Sequence, residues 1–477
     1  MSWDPIADIA TKVQSGERKA ADLVEQSLKT IEAKSEYNAI ISTLADNARK
    51  RAAEIDERVG KGETVGRLAG VPFIAKDNFL VFGGETTAAS NILKGFVAPY
   101  QSTAIEKLEA EGAICVAKAN LDAFAHGSST ENSDVMTTKH PTDPTRVPGG
   151  SSGGSAAAVM LDMAPFALGT DTGGSIRLPA SFTGAVGYKP TYGLVSRFGV
   201  IAMASSTDVI GPLARTVEDV ALVLDVMSGK DEHDSTTIER DAISYIGDEA
   251  DLSKVRIGVV KEYLAEGIDP GVKDSILKAT DQLRAAGAQV QEVSIPTLAL
   301  ALAVYYVICP AEVSSNLSRY DGQRFGYSHP DAATLEEAYE MSRSVGFGAE
   351  AKRRIMIGTY VLSSGYYDAY YKKAQEVRTK LIQEFDKAFE QFDILIGPVA
   401  PETAFKIGEN AEDPLKMYLT DIMTVAANMT GVPAISVPGP TANGLPVGVQ
   451  LMAPQRKDKL LLSVAKSYES IQRKHDE

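Results

Sequence analysis

Two short segments rich in glycine and serine are the part of the sequence best suited to chemistry. The first, residues 149–155, reads Gly-Gly-Ser-Ser-Gly-Gly-Ser, and the second, residues 171–177, reads Asp-Thr-Gly-Gly-Ser-Ile-Arg. Loops of this composition let several backbone N–H groups converge on one point, and a serine hydroxyl beside them can act as a nucleophile. The two segments are one crossover apart in the chain, so the first question is what they would bind.

Phosphate binding is disfavoured for both segments. A P-loop needs Gly-x-x-x-x-Gly-Lys-Ser/Thr, but neither segment contains the lysine, and neither offers Gly-x-Gly-x-x-Gly after a strand. The net charge of −15 also disfavours binding of nucleic acid by this chain alone, because an acidic surface repels a phosphate backbone. Hydrolytic chemistry is the better hypothesis.

Residues 150–154 formally match Gly-x-Ser-x-Gly, the nucleophile elbow of α/β-hydrolases, with Ser152 as the nucleophile. An elbow must follow a buried strand, whereas residues 142–148 contain two prolines and several turn formers. The later histidines that could serve as its base are His233 in an acidic loop, His329 before a proline, and His475 near the C-terminus. We expect each to be a solvated surface residue, and five histidines in all disfavour a multi-histidine metal site.

A serine hydrolase without a histidine base still needs a proton acceptor, and Lys76 is the candidate. It directly follows the apolar run 71–75, where a strand would carry it into the interior. A lysine that burial keeps neutral can accept a proton. The alternative is a strand-end lysine that extends to solvent, which is the commoner case for an isolated lysine.

The elements around these residues predict an α/β fold, with a large mixed, mainly parallel central sheet flanked by helices on both faces. Residues 1–65 read as an outer helical layer, with periodic helices over 20–34 and 45–59. From residue 68 onward, short apolar runs alternate with helical segments, a pattern typical of strands joined by crossovers. We expect one domain over 1–477, made of the layer 1–65, a core 66–227 and a remainder 228–477.

The second half of the chain continues the same alternation. Residues 255–260, 289–295 and 394–396 read as strands, with a helix over 270–286 and a mostly helical region over 332–390. Asn443-Gly444 lies between two apolar runs, which predicts a β-hairpin.

The two cysteines and the apolar runs bear on the compartment. Cys115 and Cys309 are far apart, each inside an apolar run, so we expect buried free thiols. The N-terminus has no basic region followed by an apolar core, and no apolar stretch is expected to reach the ~18 residues of a membrane span. These features predict a cytosolic protein that does not bind a membrane.

The Lys76-Asp77 strand end, the 149–155 segment and the 171–177 segment, in this order and spacing, resemble the amidase signature family. The resemblance implies that Ser175 is the nucleophile, that Ser151 follows a cis peptide bond and relays the proton, and that Lys76 is the base. It also implies an oxyanion hole of backbone N–H groups and residues that orient it. These are Thr172, Gly173, Gly174 and Ser175 for the hole, Ser152 and Asp171 for orientation, and Arg177 as a support of the loop.

Within that family, four further segments resemble the A subunits of bacterial-type Glu-tRNA(Gln)/Asp-tRNA(Asn) amidotransferases. These segments are 121–132, 353–358, 365–371 and 418–421. The resemblance implies that the chain hydrolyses glutamine and passes ammonia to a B subunit, which uses ATP and Mg to activate the mischarged aminoacyl-tRNA, while a C subunit ties the two together. No cofactor or metal is expected in this chain, and tRNA is expected to bind mainly through the B subunit.

The same resemblance implies a set of substrate-binding residues. Arg354 and Asp421 correspond to the residues that hold the glutamine backbone, which suits a free amino acid because a guanidinium matches the α-carboxylate and a carboxylate matches the α-ammonium. The remaining positions are His126, Gly127 and Ser128 on a loop that lines the pocket, and Tyr305 or Tyr306. Three positions depart from the family pattern, namely Ala123 for the usual Glu, His126 for the usual Met and Ala426 for a common Pro.

Two alternatives to the glutaminase hypothesis remain open. A free-standing amidase that acts on another small amide would not need Arg354 and Asp421 as a pair. A catalytically silent scaffold protein would not need Lys76, Ser151 and Ser175 together. The sequence leaves open whether Glu-tRNA(Gln), Asp-tRNA(Asn) or both are served.

Overall fold

A single eleven-stranded sheet runs through the protein in the computed structural model, which describes residues 3–476. Its strands lie in the order β1-β3-β2-β4-β6-β5-β10-β11-β9-β7-β8. They are β1 (Ile40–Thr43), β2 (Pro72–Lys76), β3 (Ile114–Ala119), β4 (Phe166–Asp171), β5 (Val186–Lys189), β6 (Val209–Ala214), β7 (Arg256–Val260), β8 (Gln289–Val293), β9 (Ile394–Pro398), β10 (Ala434–Pro438) and β11 (Gly448–Met452).

Helices cover this sheet and supply most of its connections. They are α1 (Ile6–Gln14), α2 (Ala20–Ala33), α3 (Ala45–Gly60), α4 (Thr103–Ala110), α5 (Gly153–Met160), α6 (Arg177–Thr183), α7 (Val217–Met227), α8 (Pro270–Ala285), α9 (Leu298–Asn316), α10 (Leu335–Gly346), α11 (Ala349–Leu362), α12 (Lys373–Gln391), α13 (Pro414–Leu419), α14 (Val425–Thr430) and α15 (Asp458–Asp476). The predicted α/β class with a large mixed sheet flanked by helices is therefore confirmed.

The sheet is not mainly parallel, so this part of the sequence prediction is wrong. Four neighbouring pairs are parallel, at β3-β2-β4 and β9-β7-β8. The other six, including the unbroken run from β4 to β9 in the middle of the sheet, are antiparallel. Helices such as α6 also lie between strands of the antiparallel middle, so the alternation of strands and helices in the sequence does not reveal strand direction.

The N-terminal layer also differs from its prediction in one element. The helices expected over 20–34 and 45–59 are present as α2 and α3, but residues 40–43 form β1, which pairs antiparallel with β3 at the edge of the sheet. Four residues are too few to show a clear two-residue alternation, and β1 sits between two strongly periodic helices. The layer is therefore helical except for one edge strand.

The hairpin predicted around Asn443-Gly444 is confirmed. β10 and β11 pair antiparallel, and the backbone groups of Ala442 and Leu445 bond to each other across the turn. Asn443 and Gly444 have φ values of 53° and 77°. Positive φ at both central positions is what the tight hairpin turn requires, and Asn-Gly tolerates it.

One segment, Leu298–Arg319, is long and apolar enough to cross a membrane by length and composition alone. The expectation that no apolar stretch reaches this length is therefore wrong, because the segment keeps its apolar character despite interrupting polar residues such as Glu312. Half of its most apolar window is buried inside the fold, where α9 packs against α11, α12 and α14. In this fold α9 is a packing helix that carries Tyr305 and Cys309 into the interior.

The strand ends bring the two glycine- and serine-rich segments together. β2 and β4 are parallel neighbours, so Lys76 at the end of β2 and Asp171 at the end of β4 emerge at the same edge of the sheet. Every residue of both strands is buried. The 149–155 segment leads into the N-terminus of α5, which is the crossover helix before β4. One edge of the sheet therefore receives the lysine and both segments.

Candidate active site

Lys76 is completely buried, and its ammonium position is surrounded by hydroxyl groups. Its Nζ lies 2.8 Å from Ser151 Oγ, 2.9 Å from Ser152 Oγ and 2.9 Å from Thr170 Oγ1. The alternative of a strand-end lysine that reaches solvent is wrong, because its relative exposure is 0%. Asn78 also donates to Thr170 Oγ1, at 3.1 Å, so this hydroxyl is held from two sides.

The Gly150–Ser151 peptide bond is cis, as the family resemblance predicts. Asp122 lies directly against it, since a Cβ on Gly150 would come within 2.2 Å of Asp122 Oδ2. Asp122 also accepts hydrogen bonds from the backbone N–H groups of Thr130 and Asn132. This carboxylate therefore fixes the 149–155 segment and the 122–132 loop relative to each other.

Ser175 is 8% exposed and lies on the second segment, next to the first one. Its carbonyl oxygen accepts a hydrogen bond from the N–H of Ser152 at 3.1 Å. Within residues 3–476, no hydrogen-bond partner is seen for its hydroxyl. The hydroxyl is therefore free to meet a substrate, and the structure brings Ser175 beside Ser151 without a direct side-chain hydrogen bond between them.

The backbone N–H groups of the second segment are not all available to an oxyanion. That of Gly174 donates to Asp171 Oδ1 at 2.9 Å, so it does not fit the predicted oxyanion hole in this structure. Those of Gly173 and Ser175 show no acceptor in the described part of the chain. Gly174 has φ +140° and a Cβ there would meet Thr424 Oγ1 at 2.3 Å, which explains the glycine at this position.

A buried network behind this loop holds it in shape. Asp171 and Arg177 form an ion pair of 3.0 Å, and both side chains are 0% exposed. Asn428 joins them, because its Nδ2 donates to Asp171 and its Oδ1 accepts from Arg177 at 2.7 Å. Arg177 also donates to Gln450 Oε1 and to the Thr424 carbonyl. The buried charges of Asp171 and Arg177 are thus paired with each other and hydrogen-bonded to neighbouring groups, as a buried ion pair requires.

The site tunes its titratable groups through burial. Burial lowers the pKa of Lys76 to about 7, against the opposing influence of the Asp122, Asp171 and Asp208 carboxylates. Burial raises the pKa of Asp122 to about 7, although two backbone N–H groups and Lys76 favour its charged form. Burial also acts to raise the pKa of Asp171, but the Arg177 guanidinium outweighs it and the pKa falls to about 2. A lysine with this pKa is substantially neutral at physiological pH.

A second group of residues presents a positive charge. Arg354 is 2% exposed, and its Nε donates to Glu350 Oε1 at 2.8 Å. The guanidinium lies 5.5 Å from the ring centre of Tyr306 and 5.6 Å from that of Tyr418. Tyr418 also donates to Glu350, at 2.9 Å, so Arg354 is held by one carboxylate and two aromatic rings. Among the described residues its Nη2 has no hydrogen-bond acceptor.

Asp421 supplies a negative charge near Arg354. Its two oxygens accept from Ser128 Oγ at 2.8 Å and from the Tyr306 hydroxyl at 3.1 Å. Burial raises its pKa to about 6. The following turn reaches the catalytic loop, because Thr424 N donates to the Asp421 carbonyl and Thr424 Oγ1 donates to the Gly173 carbonyl at 2.5 Å.

The two candidate tyrosines have different positions. Tyr305 lies over Gly173, where an added Cβ would come within 2.7 Å of the tyrosine hydroxyl. Tyr306 contacts Asp421 and stacks on Tyr418 with ring centres 4.1 Å apart. Tyr305 therefore faces the catalytic loop, and Tyr306 faces the charged pair.

A cavity of about 270 Å³ opens beside these residues. Ser151 and Ser175 are not part of its wall, whereas Asp122, which borders Gly150, is. The wall includes three of the positions on the predicted pocket loop and the predicted arginine, namely His126, Gly127, Ser128 and Arg354. The side that holds the guanidinium is thus open to a small molecule.

The other residues considered for the site differ in their contacts with Lys76. Ser152 contacts Lys76 and also donates to the Thr170 carbonyl at 3.2 Å. Thr172 donates to Asp208 at 2.7 Å, away from the lysine. None of the three histidines considered for an elbow contacts Lys76 or either serine in residues 3–476. Both cysteines are free and buried, as predicted.

Sequence reasoning missed several residues that build the site. Thr170 and Asn78 hold the lysine, Asp122 joins two loops, and Glu350 with Tyr418 holds Arg354. The positions of Thr170 beside Asp171 and of Asn78 two residues after Lys76 were a usable signal, because residues that flank a strand-end base share its edge of the sheet. Glu350 had a local signal too, since it precedes Arg354 by one helical turn.

Comparisons with known proteins agree with this geometry. The family model described as Amidase matches residues 22–462. The A subunit of the Glutamyl-tRNA(Gln) amidotransferase of Symbiobacterium thermophilum is 51% identical over 466 residues, which cover 97% of this chain and 95% of that protein. The chain is thus similar to this relative over nearly its whole length.

Solved structures show the same likeness. The crystal structure of the corresponding A subunit of the Glutamyl-tRNA(Gln) amidotransferase from Thermotoga maritima matches with a TM-score of 0.78 and 42% identity, over 94% of this chain and 91% of that one. A native peptide amidase from Stenotrophomonas maltophilia matches with a TM-score of 0.83 and 29% identity, over 98% and 97%. Because the family model spans most of the sequence and the relatives match nearly end to end, this chain belongs to the amidase family, whose amidase signature segments surround Lys76.

Proposed function

We propose that this chain is the glutamine-hydrolysing subunit of a tRNA-dependent amidotransferase. The observation that carries the proposal is that a buried Lys76–Ser151 pair occurs together with a second pair of opposite charges, Arg354 and Asp421. The turn after Asp421 is joined through Thr424 to the Gly173 carbonyl, in the loop that carries Ser175. A simple amide needs only the first pair. A free α-amino acid amide needs both, because its carboxylate and ammonium must be matched as it enters a desolvated site.

In the first chemical step, Ser175 Oγ attacks the side-chain carbonyl of glutamine. Its proton passes to Ser151 Oγ as the Ser151 proton passes to neutral Lys76 Nζ, across the observed 2.8 Å contact. The carbonyl oxygen becomes an oxyanion, which the free N–H groups of Gly173 and Ser175 stabilise. Lys76, now protonated, returns the proton through Ser151 to the leaving nitrogen, and ammonia departs from a γ-glutamyl ester on Ser175.

The second step reverses these roles. Water takes the place of ammonia, and the same lysine and serine remove its proton as it attacks the ester carbonyl. The C–O bond to Ser175 then breaks, the serine recovers its proton from the relay, and glutamate is released. Asp171, Arg177 and the other residues of the buried network keep the oxyanion groups in place, so they act by positioning.

Recognition of the amino-acid end follows from the charged pair. The Nη2 of Arg354, which has no hydrogen-bond partner among the described residues, is available to the α-carboxylate. The hydrogen bond from Nε to Glu350 holds the guanidinium in this orientation. Asp421 receives the α-ammonium, and the approach of that cation favours the ionised carboxylate despite its burial. Because each Asp421 oxygen already accepts one hydrogen bond, Ser128 and Tyr306 hold it in the receiving geometry.

The product ammonia implies partners for this chain. Relatives over nearly the full length carry the name of one component of a larger enzyme, which supports an assembly with B-type and C-type subunits. In this proposal the B subunit binds ATP with Mg and grips the tRNA, and Glu-tRNA(Gln) is amidated, with Asp-tRNA(Asn) as the second candidate substrate. The reaction is placed in the cytosol, where aminoacyl-tRNA is used.

Two amides that each keep one charge of glutamine test the substrate assignment. Glutaramate lacks the α-ammonium, and 4-aminobutanamide lacks the α-carboxylate. We expect Arg354→Ala to weaken hydrolysis of glutamine and glutaramate, and Asp421→Ala to weaken that of glutamine and 4-aminobutanamide. Loss of one partner of a buried charge pair costs on the order of 2 to 5 kcal/mol, so kcat/KM should fall about 30-fold or more in the affected cases. Steady-state ammonia release provides the measurement.

The second candidate, a free-standing amidase, is favoured by the structural match to a peptide amidase. Such an enzyme would show no preference of the wild type for glutamine over the two analogues. The two substitutions would then lower hydrolysis of every amide by similar factors. That pattern would replace the glutaminase proposal with the amidase one.

A further inference from the structure

His126 is a buried residue whose side chain has no hydrogen-bond partner. Its relative exposure is 0%, and within residues 3–476 neither Nδ1 nor Nε2 has a donor or acceptor in reach. An unpaired buried polar group costs about 1 to 3 kcal/mol, so proteins rarely keep one without a use. His126 belongs to the wall of the 270 Å³ cavity beside Arg354.

The other buried histidine, His140, shows how the fold treats an imidazole that has a structural role. Its Nε2 lies 2.7 Å from the Phe182 carbonyl, which fixes this nitrogen as the donor. Its Nδ1 accepts from the backbone N–H groups of Thr142 and Asp143, each at 3.3 Å. Both nitrogens of His140 are thus satisfied by the chain itself, whereas both nitrogens of His126 are left for something else.

The backbone of His126 is held by neighbouring residues. Its N–H donates to the Ala123 carbonyl at 3.0 Å, and its carbonyl accepts from Asn132 Nδ2 at 2.8 Å. The two preceding residues, Phe124 and Ala125, have φ values of 53° and 63°. Non-glycine residues in the left-handed region carry strain, which the surrounding contacts must hold, and such strain clusters at binding sites. The loop therefore holds the backbone of His126 in a defined position beside the cavity.

Burial and a neighbouring positive charge together determine the protonation state of the ring. Burial first, and then the Arg354 guanidinium, lower the pKa of His126 well below its ordinary value. At physiological pH the imidazole is therefore neutral, with one N–H donor and one acceptor nitrogen. Arg354 beside it can bind a substrate carboxylate, and the same carboxylate can accept a hydrogen bond from the imidazole N–H of His126.

We propose that His126 is a specificity-determining residue whose imidazole N–H donates a hydrogen bond to the α-carboxylate of the bound amino-acid amide, beside Arg354. The inference rests on the proposed function, because it needs a substrate with an α-carboxylate. Asp421, held by Ser128 and Tyr306, receives the ammonium on the other side of the substrate. A methionine at this position has no hydrogen to donate, so this contact distinguishes the present chain from the usual family pattern.

The experiment measures binding without turnover. The chain carrying Ser175→Ala, purified with the subunits that copurify with it, is titrated with glutamine, glutaramate and 4-aminobutanamide by calorimetry. Adding His126→Met should raise the Kd for glutamine and glutaramate about tenfold or more, the cost of a lost hydrogen bond to a charged group, and leave 4-aminobutanamide within about twofold. His126→Asn and His126→Gln place an amide N–H near Nδ1 and Nε2, and one of them should restore most of the affinity.

His140→Met is the matched control, because it removes an imidazole of similar burial outside the cavity. It should lower the stability to urea but leave all three Kd values in the same ratio. An equal rise of the three Kd values in His126→Met would overturn the proposal and indicate a structural role. So would an unchanged Kd for glutamine, or a selective loss that neither Asn nor Gln relieves. Equal binding of the three amides by the chain that carries only Ser175→Ala would instead overturn the proposed function.

Discussion

Lys76 has the properties of a base because, among the described residues, three hydroxyl groups and no carboxylate are in direct contact with its Nζ. A carboxylate at that distance would form an ion pair and keep the lysine protonated. Hydroxyls can either donate to the neutral amine or accept from the ammonium, so they suit both states of the relay. The carboxylates that act on Lys76, including Asp122, do so from farther away.

The effects of substitutions in the Lys76–Ser151 relay on kcat/KM should not be additive. We expect Lys76→Ala and Ser151→Ala each to lower kcat/KM for glutamine by about 10²- to 10⁴-fold, the usual range for loss of a general base. The double variant should be no worse than either single one, because a broken relay cannot be broken twice. Ser152→Ala is the control: it removes one contact of 2.9 Å but leaves Lys76 against Ser151, and should cost about tenfold. Multiplicative losses in the double variant would contradict a shared proton path.

The pH dependence of glutamine hydrolysis should follow the protonation of Lys76. Protonated Lys76 cannot accept a proton, so kcat/KM should rise with pH, with a midpoint near its pKa of about 7. Asp122 has a similar pKa and interacts with Lys76, so the midpoint belongs to the pair. Lys189 is a useful comparison, since burial lowers its pKa to about 7 as well, yet it donates to the Val432 carbonyl and contacts no serine.

Lys189→Met should therefore keep the midpoint of the wild type, with activity measured from about pH 5 to about pH 9 while the chemical step limits the rate. A flat profile in the wild type would leave no titrating base. A midpoint that disappears in Lys189→Met would transfer the role away from Lys76.

At the residue scale, the sequence identified the catalytic residues better than the residues that hold them in place. Lys76, Ser151 and Ser175 could be named because a nucleophile and a base are scarce and the motif fixes their order. Thr170 and Asp122 could not, since threonines and aspartates are common and their roles depend on contacts between distant strands and loops. The hydrogen bond that removes the Gly174 N–H from the oxyanion hole is likewise visible only in three dimensions.

At the scale of elements, two parallel strand ends and one helix start determine where the chemistry happens. β2 delivers Lys76, β4 delivers the second segment, and α5 begins just after Ser151 and Ser152. The loop after β4 has little hydrophobic packing of its own, because residues 172–175 are small or polar. The Asp171–Arg177 pair supplies its anchor, with Asn428 from α14 as the third member.

Breaking this anchor should destabilise the whole protein. Arg177→Met leaves Asp171 buried without its cation, which costs about 3 to 5 kcal/mol of unfolding free energy. The pKa of Asp171 is depressed to about 2 in the folded protein, so the pair contributes stability above the unfolded pKa, and that stability is lost as the pH falls. The stability that the pair contributes should therefore fall between about pH 4 and about pH 2, so the difference between wild type and variant should shrink over that range. Urea unfolding at several pH values measures it.

The exposed pair Lys278–Asp274 provides the control for this prediction. Its side chains are 62% and 60% exposed and lie one turn apart on α8. Lys278→Met should cost less than about 1 kcal/mol, as exposed ion pairs do. If Arg177→Met were equally mild at neutral pH, the buried pair would not be the anchor of the loop.

The elements themselves were predictable where their period was long enough to read. α2, α3 and α8 all lie close to their predicted bounds, because two or more turns show a clear apolar face. Strand direction was not readable, since parallel and antiparallel strands with both faces buried give the same apolar run. The antiparallel middle of the sheet therefore appeared only in the structure.

At the scale of the whole molecule, net charge limits what the chain can bind. Forty-eight basic and sixty-three acidic residues give −15, which opposes a tRNA that is itself a polyanion. The chemistry, in contrast, demands a second active site, because ammonia released into neutral water is protonated and lost as a nucleophile. In the proposed function, we therefore expect a partner to supply both the grip on tRNA and the activated acceptor.

This division of labour predicts two measurements on the isolated chain. Titration with labelled tRNA at physiological salt should show no binding in the submicromolar range. Glutamine hydrolysis by the isolated chain should be slow and should rise when the B and C subunits and aminoacylated tRNA are added, because release of ammonia is useful only when an acceptor is waiting.

The two measurements distinguish two ways in which this division of labour could be wrong. Lys76→Ala in the full assembly is the control, since it should abolish hydrolysis but leave tRNA binding unchanged if the partner carries the tRNA. Submicromolar binding of tRNA to the isolated chain would show that the acidic surface conceals a basic site, and the assignment of tRNA to the B subunit would be wrong. A lone chain already as fast as the assembly would indicate an amidase that needs no partner. The tRNA titration tests the effect of the chain's charge, and the hydrolysis assay tests its dependence on partner subunits, so either prediction can fail without the other.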